Sequence, residues 1–469
     1  MIISPQTKEA YRLFHDGTLA LARAEQQGIR VNMEYCEKKS DQLSHKIQRL
    51  EEQFYRTEFF KEWNKTTRSR INIHSNVQLG NFLYKVKKFT PANTTATGKG
   101  GTDEESLSQL GISELNLLLE IRKLKKSRDT YLGSFIREAV EGYLHPSFNL
   151  HLVKTFRSSS DRPNFQNIPK RDEDTMRLIR KALYPRPGHQ LMEVDYSGLE
   201  VRIAAAYHKD PTMLKYILDP STDMHRDMAE QIFLMDDFDK SDPTHKTLRS
   251  AAKNGFVFPQ FYGDYFKNCA INLACRWGKL PEGRWKAGQG IDFNGGKLAD
   301  HFIGKGIRSI DKFTDHLREI ESDFWNNRFP VYQEWKEKWW KEYQKKGYVD
   351  MYTGFRCSGE MGRNDAINYP VQGAAFHCLL WSFIRLDAIM QRKGWKTRLI
   401  GQIHDAIVLD VHPDELHEVG LNIRLVTTGD LPRNWPWINV PLEIDADLGG
   451  VDESWADLKP YQLPYNVHN

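Results

Sequence analysis

Arg249 and Lys253 stand four residues apart in a stretch that reads as helical, so the two cations share one helix face. Fixed positive charges at that spacing can hold a polyphosphate, or can be ordinary solvated helix charges. Two acids also stand out. Asp195 closes the apolar run Leu191-Met-Glu-Val194, and Asp405 lies in the turn between Arg398-Leu-Ile-Gly-Gln-Ile403 and Ala406-Ile-Val-Leu-Asp-Val411. Taken singly, each is more commonly a structural strand-end acid than a catalytic one. As close neighbours they would repel, and a divalent cation would relieve that cost. Mg²⁺ prefers oxygen ligands and keeps water and substrate phosphates in its shell. Two such ions ~4 Å apart can activate an attacking hydroxyl and stabilise a leaving pyrophosphate. Spacing alone does not say whether positions 210 residues apart meet.

The scaffold must supply those positions. A chain of 469 residues is too long for one core and predicts two to four lobes. With 40% hydrophobic and 27% charged residues, it reads as soluble and globular. No run of about 18 apolar residues suggests a membrane span. The first residues, MIISPQTKEAYRLF, lack the apolar core of a signal peptide, so a cytoplasmic location, in a bacterial or phage-infected cell, is expected. The five cysteines (Cys36, Cys269, Cys275, Cys357 and Cys378) are odd in number and form no CxxC, which predicts scattered buried thiols in a reducing compartment. A net charge of +4 does not announce nucleic acid. Residues 122–128, with five basic side chains in seven after an apolar run, suggest a cationic helix face suited to phosphate backbones or simply to solvent.

Along the chain, about the first 60 residues read as amphipathic helices with a turn at 25–29. Residues 94–102 read as a loop, and Asp103-Glu-Glu opens another helix. Turns and short strands follow at 145–170, a strand at 191–195, helices at 223–258 and 309–346, and two strands around a tight turn at 395–411. Helices, a strand, helices and then a hairpin predict an α+β architecture with a helical insertion between parts of one sheet.

Four segments resemble the motifs of the family A DNA polymerases, in that family's order. They are Thr155-Phe-Arg-Ser-Ser-Ser-Asp-Arg-Pro-Asn-Phe-Gln-Asn-Ile-Pro-Lys-Arg171, Asp195-Tyr-Ser-Gly-Leu-Glu-Val-Arg202, Arg249-Ser-Ala-Ala-Lys253 with Phe258 and Phe261-Tyr-Gly263, and Gln402-Ile-His-Asp405. Weaker matches lie between and around them: Asp223-Met-His225, Gly347-Tyr-Val349, Thr353-Gly-Phe-Arg356, Asn368-Tyr-Pro-Val-Gln-Gly373, Asn72-Ile-His-Ser-Asn-Val-Gln-Leu79, Thr97-Gly-Lys99, Val440-Pro-Leu442 and Ser454-Trp455. The likeness covers nearly the whole chain.

The resemblance implies a right-hand fold: a palm with an antiparallel sheet, helical fingers and a helical thumb. It divides the chain into an N-terminal helical segment (1–45), thumb (46–145), palm (146–222), fingers (223–346) and the rest of the palm (347–469). It implies that Asp195 and Asp405, with the Tyr196 carbonyl, hold two Mg²⁺ ions, for which Mn²⁺ can substitute. Arg249, Lys253 and His225 would hold the triphosphate of a dNTP, and Lys253 would also protonate the departing pyrophosphate. Glu200 would be the steric gate that leaves no room for a ribose 2′-hydroxyl. Tyr262 would be its partner at the templating position, and Phe258 a nucleotide contact. Arg157, Asn164, Gln166, Asn167, Asn368, Gln372 and His404 would contact primer-template DNA. Amide and guanidinium donors suit that role, because purine N3 and pyrimidine O2 are similar minor-groove acceptors whatever the base pair. The implied protein is a monomer, working alone or with a separate exonuclease or replisome proteins.

The sequence departs from the pattern in five places. Phe258 and Tyr262 stand five and nine residues after Lys253, one too many, and an extra residue turns a helix by about 100°. With Pro259 unable to donate a hydrogen bond, a π-bulge or local break between Asn254 and Pro259 is expected. The rival is a regular helix that presents Phe256 beside Arg249 and Lys253. Ala406 replaces the family's usual Glu, which leaves two side-chain ligands, and Gly198 removes a side-chain contact. Residues 264–330 differ from the bacterial enzymes and resemble phage-type members. Leu19 to Val31 resembles the segment that follows a 3′–5′ exonuclease domain, so no proofreading is expected of this chain.

Overall fold

The Gln190–Tyr196 strand (QLMEVDY) is buried at five of its seven positions, Glu193 among them, as in a strand covered on both faces. In the computed structural model, which describes residues 2–67, 69–91, 98–108, 110–170, 172–274 and 291–465, it is the centre of a five-stranded sheet. The order is Arg398–Ile403, Ala406–Val411, Gln190–Tyr196, Ile444–Leu448 and Lys459–Pro460, with every neighbouring pair antiparallel. The strand earliest in sequence thus lies between two that come more than 200 residues later. Helices Lys8–Gln27 and Arg363–Lys393 pack on each other and on this sheet.

These elements belong to the first of two compact units, residues 1–42, 126–219 and 331–469. The second comprises 43–125 and 220–330. Its first segment is a helical cluster around Phe54, Phe59, Trp63 and Phe82, closed by Leu115, Leu118 and Ile121. Trp63 and Phe82 stack at 5.6 Å between ring centroids, adding shape specificity to large apolar burial. Its second segment packs helices Met224–Phe233, Pro243–Ala252, Phe266–Ala274 and Ile310–Asp323 about one another.

The α+β expectation holds, with three local corrections. The helix expected over 223–258 breaks after Phe233, where Leu234 turns left-handed. It resumes at Pro243, with Asp242 accepting from the Thr244 and His245 N–H groups. The helix expected over 309–346 breaks at Phe329, ahead of Pro330, because the residue before proline avoids helical geometry. In the basic run, Arg122 donates to the Thr102 carbonyl (2.7 Å) and Asn76 Oδ1 (2.9 Å), and Arg128 pairs with Asp129. That segment is therefore not a uniformly solvated stripe.

The Arg363–Lys393 helix is long and apolar enough to cross a membrane by length and composition alone. Two-thirds of that window is buried inside the protein, which marks a core helix. Cys36, Cys269, Cys357 and Cys378 are free and buried. Thr97 of the expected loop, Arg171 of the first motif, Cys275 and residues 276–290 of the phage-like stretch lie outside the described residues.

Candidate active site

Strand pairing answers what spacing left open. Asp195 faces Ala406 across the central pair, and the Tyr196 N–H donates to the Asp405 carbonyl (3.2 Å). The two acids therefore sit at one end of adjacent strands. Asp405 lies in the hairpin turn next to His404, whose φ of 52° is that of a tight turn. The strand end is anchored from the helix side, where the Tyr196 hydroxyl meets Ser382 Oγ (2.8 Å). Burial pushes the Asp405 carboxyl above its usual pKa; Asp195 adds to the rise, while Arg157 and Lys170 oppose it.

Beyond Asp195 the chain turns sharply. Gly198 is left-handed (φ 60°) with open space where a Cβ would be, and helix Leu199–His208 starts from it. Arg202 holds this corner by donating to the Ser197 carbonyl (2.9 Å), the Pro441 carbonyl (2.6 Å) and Glu443 (2.5 Å). Glu200, in the first turn of that helix, is largely buried and ion-paired with the Arg157 guanidinium. Arg157 is thus placed between the gate candidate Glu200 and the field of Asp405.

The amide candidates are partly brought together. Gln166 and Gln402 both donate to Ser158 Oγ, which joins the first and fourth motifs. The Gln402 amide oxygen is buried without a partner among the described residues. Asn164 and Asn167 are exposed around a short 3₁₀ turn, Phe165–Asn167. Asn368 and Gln372 lie four apart on the Arg363–Lys393 helix. That helix approaches the Thr155 backbone so closely that a Cβ at Gly373 would meet the Thr155 carbonyl oxygen at 2.8 Å.

Three residues near Asp195 were missed by sequence reasoning. Lys170 Nζ donates to Asp195 Oδ2 (2.9 Å) and Glu193 Oε1 (3.0 Å). Glu193 is buried, with Arg180 (2.8 Å) and Trp455 Nε1 (3.0 Å) on its other oxygen. Burial acts to raise its pKa, and the Arg180 and Lys170 charges hold it below the ordinary value. Asp445 lies opposite Asp195 on the next strand and accepts from Ser197 Oγ (2.5 Å). Alternation along the strand could have paired Glu193 with Asp195 on one face; nothing local signals the partner from residue 170.

In the second unit, Asp223 accepts from the His225 and Arg226 N–H groups at the start of its helix and pairs with Arg249 through two bonds (2.7 and 3.0 Å). Burial opposes the charge on Asp223, yet these bonds keep its pKa below the usual value. A π-turn spans Lys253–Val257 and ends with the Phe258 N–H bonded to the Lys253 carbonyl. The expected bulge is present, and Phe258 rather than Phe256 lies beside Lys253. Phe256 is fully buried against Phe324. Phe258 meets the His225 ring edge-on at 5.8 Å, with Lys253 Nζ 5.1 Å from its centroid. His225 is pushed down to about 4 by burial and by the Lys253 and Arg249 charges, so at neutral pH it is an uncharged imidazole. Its Nδ1 is buried without a partner among the described residues. Tyr262 ends this element about half exposed, its N–H on the Phe258 carbonyl (3.0 Å).

The Asp195 and Asp405 donors fit a hard divalent cation. They are oxygen ligands at a strand end and the adjoining hairpin turn, and the raised Asp405 pKa records desolvation, with a smaller contribution from Asp195, that a bound cation would relieve. Among the described residues no third His, Cys, Asp or Glu completes a cage. Such a site leaves coordination positions for water and phosphate oxygens, as Mg²⁺ prefers.

The sequence profile described as DNA polymerase family A matches residues 33–276 and 318–457. The chain is 28% identical over 455 residues to the thermostable DNA polymerase I of Thermus filiformis, covering 94% of this chain and 47% of that protein. It is 30% identical over 444 residues to DNA polymerase I of Aquifex aeolicus, covering 93% and 65%. It thus spans about half to two-thirds of these relatives' length. Its fold matches the POL domain of Pol1 from M. smegmatis, solved with DNA primer-template and dNTP, with a TM-score of 0.73, 23% identity, and 95% and 70% of the two chains covered.

Proposed function

The chain belongs to DNA polymerase family A, and from that premise we propose that it is a template-directed DNA polymerase that adds dNMP from a dNTP to a primer 3′-hydroxyl. The observation that carries the reading is the juxtaposition, within the first unit, of Asp195 at a strand end and Asp405 in the adjoining hairpin turn. The bond formed is between the primer 3′-oxygen and the α-phosphorus; the bond broken joins that phosphorus to the leaving pyrophosphate.

Asp195, Asp405 and the Tyr196 carbonyl would hold two Mg²⁺ ions. When bound, these ions lower the pKa of the attacking hydroxyl and stabilise charge on the leaving oxygens. Arg249, Lys253 and neutral His225 bind the triphosphate, the cations by charge-assisted bonds and the imidazole as a donor. Lys253 gives a proton to the departing pyrophosphate. The Phe258 ring packs against the nucleotide and limits water at that face. Glu200, held by Arg157, excludes a 2′-hydroxyl by occupying its space, and Tyr262 packs at the templating position. Gln166, Gln402 and Arg157 lie in one connected region with Asn164 and Asn167, which supports assigning minor-groove contacts to the predicted members of that group.

Primer extension on a DNA template with Mg²⁺, run in parallel with dNTPs and rNTPs, tests this reading. Template-ordered extension with dNTPs alone is expected. Extension with rNTPs in preference would identify an RNA polymerase on the same fold, and binding of primer-template without extension would identify a catalytically inert DNA clamp.

A further inference from the structure

Lys170 places a protein cation directly on the carboxylate assigned to metal binding. Its ammonium bridges Asp195 Oδ2 (2.9 Å) and Glu193 Oε1 (3.0 Å), acids that point to the same sheet face two residues apart. The two partners differ in kind. Glu193 is fixed: its side chain is 3% exposed, and Arg180 and Trp455 occupy its second oxygen. The Arg180 guanidinium also stacks over the Trp455 ring at 4.7 Å and donates to the Pro169 carbonyl (3.2 Å), which ties down the backbone just before Lys170.

Arg180 is paired with Glu193 at 2.8 Å, with both side chains buried. That pair is already neutral, so the Lys170 charge is left for the other acids around it: Asp195, which it bonds, and Asp405 and Asp447, on which it acts through space. The Lys170 side chain is 55% exposed and Asp195 39% exposed. An ion pair that open to solvent contributes little to stability. It is readily exchanged, and the Glu193 oxygen gives the displaced ammonium a second acceptor already within reach.

We propose that Lys170 is a tethered counter-ion that occupies Asp195 in the metal-free protein and moves onto Glu193 when a divalent cation arrives, so that metal binding is an ion exchange. The proposal rests on the assignment of Asp195 and Asp405 as metal ligands. It makes Lys170 a positioning residue: it holds the Asp195 carboxylate in place without metal and weakens metal binding until substrate phosphates contribute ligands of their own.

The test is Mn²⁺ binding to the full chain without DNA or nucleotide, followed by the loss of the free-ion electron paramagnetic resonance signal. Lys170→Met should tighten binding roughly three- to tenfold, because a competing charge a few ångströms from the ion is removed. Lys170→Arg, which keeps the cation, should stay within about twofold of the parent. Asp195→Asn should weaken binding strongly. A parent isotherm that depends on Asp195, with Lys170→Met unchanged or weaker, overturns the exchange and leaves the metal site standing. An isotherm indifferent to Asp195→Asn removes the metal assignment and the exchange together. Circular dichroism and thermal unfolding of both Lys170 variants should match the parent, since the side chain is half exposed; a misfolded Lys170→Met leaves the decision to Lys170→Arg, where binding tightened severalfold counts against the exchange.

Discussion

Asp195 and Asp405 are brought together by strand pairing across 210 residues, whereas Arg249, Lys253 and Phe258 are set on one face by a single helical segment. The first arrangement is rigid, since its strands are hydrogen-bonded and buried on both sides. The second is local and tolerant, since it has absorbed an extra residue as a π-turn and still presents Phe258 beside Lys253. The electrostatics are also opposite. In the first unit, burial pushes a carboxyl up against the pull of Arg157 and Lys170, with Asp195 adding to the rise; in the second, burial and two cations push an imidazole down. In the proposed reading, a cation at the strands and a polyphosphate at the helix would each relieve the local environment.

If that contrast is right, loss of charge at the rigid site should be the more damaging. Asp195→Asn or Asp405→Asn should cut extension by about 10³-fold or more, with primer-template affinity by fluorescence anisotropy nearly unchanged. Full extension by either variant would end the metal assignment. At the helical site Lys253→Ala should cost about 10²-fold in kcat. A pure rise in KM would reduce Lys253 to a binding residue and remove it from proton transfer.

The same contrast explains what could be read from residues alone. The hairpin and the strand ending in Asp195 announce themselves locally, through apolar runs that end at an acid or a tight turn; the π-turn was legible from Pro259 together with a spacing one residue longer than the motif it resembles. The break at 234–242 carried a local signal too, since Asp242-Pro243 is a helix start, but apolar periodicity on either side masked it. Lys170 on Asp195 was beyond reach, as was Arg249 on Asp223, because each pairs residues about 25 positions apart through a tertiary turn. Arg157 on Glu200 is a contact of the same kind. Read alone, Glu200 is an exposed acid at a helix start; the fold makes it a buried, paired one, which is what a rigid gate requires.

Glu200→Ala sharpens that point with a smaller effect. It should lower discrimination between dNTP and rNTP, measured as the ratio of kcat/KM values, by roughly tenfold or more, while dNTP incorporation falls only modestly. Unchanged sugar selectivity would separate the ion pair with Arg157 from any gating role and leave it as a support for the strand-to-helix corner.

The smallest expected effect is the most telling about the helical site. Asn254 is exposed, and its side chain bonds to Ser250, one turn earlier. Deleting it should let the Lys253–Val257 π-turn close into regular α-helix, with Phe258 then four residues from Lys253 and still on its face. The KM for dNTP should stay within about threefold and the thermal midpoint should not fall, because the i→i−4 ladder becomes continuous. Inserting one alanine after Asn254 is the converse: it rotates Phe258 by about 100° from Lys253 unless the helix bulges further, and KM should rise about tenfold. Equal damage from both changes would mean that the π-turn itself shapes the triphosphate site, and the helical site would then be as exacting as the strands.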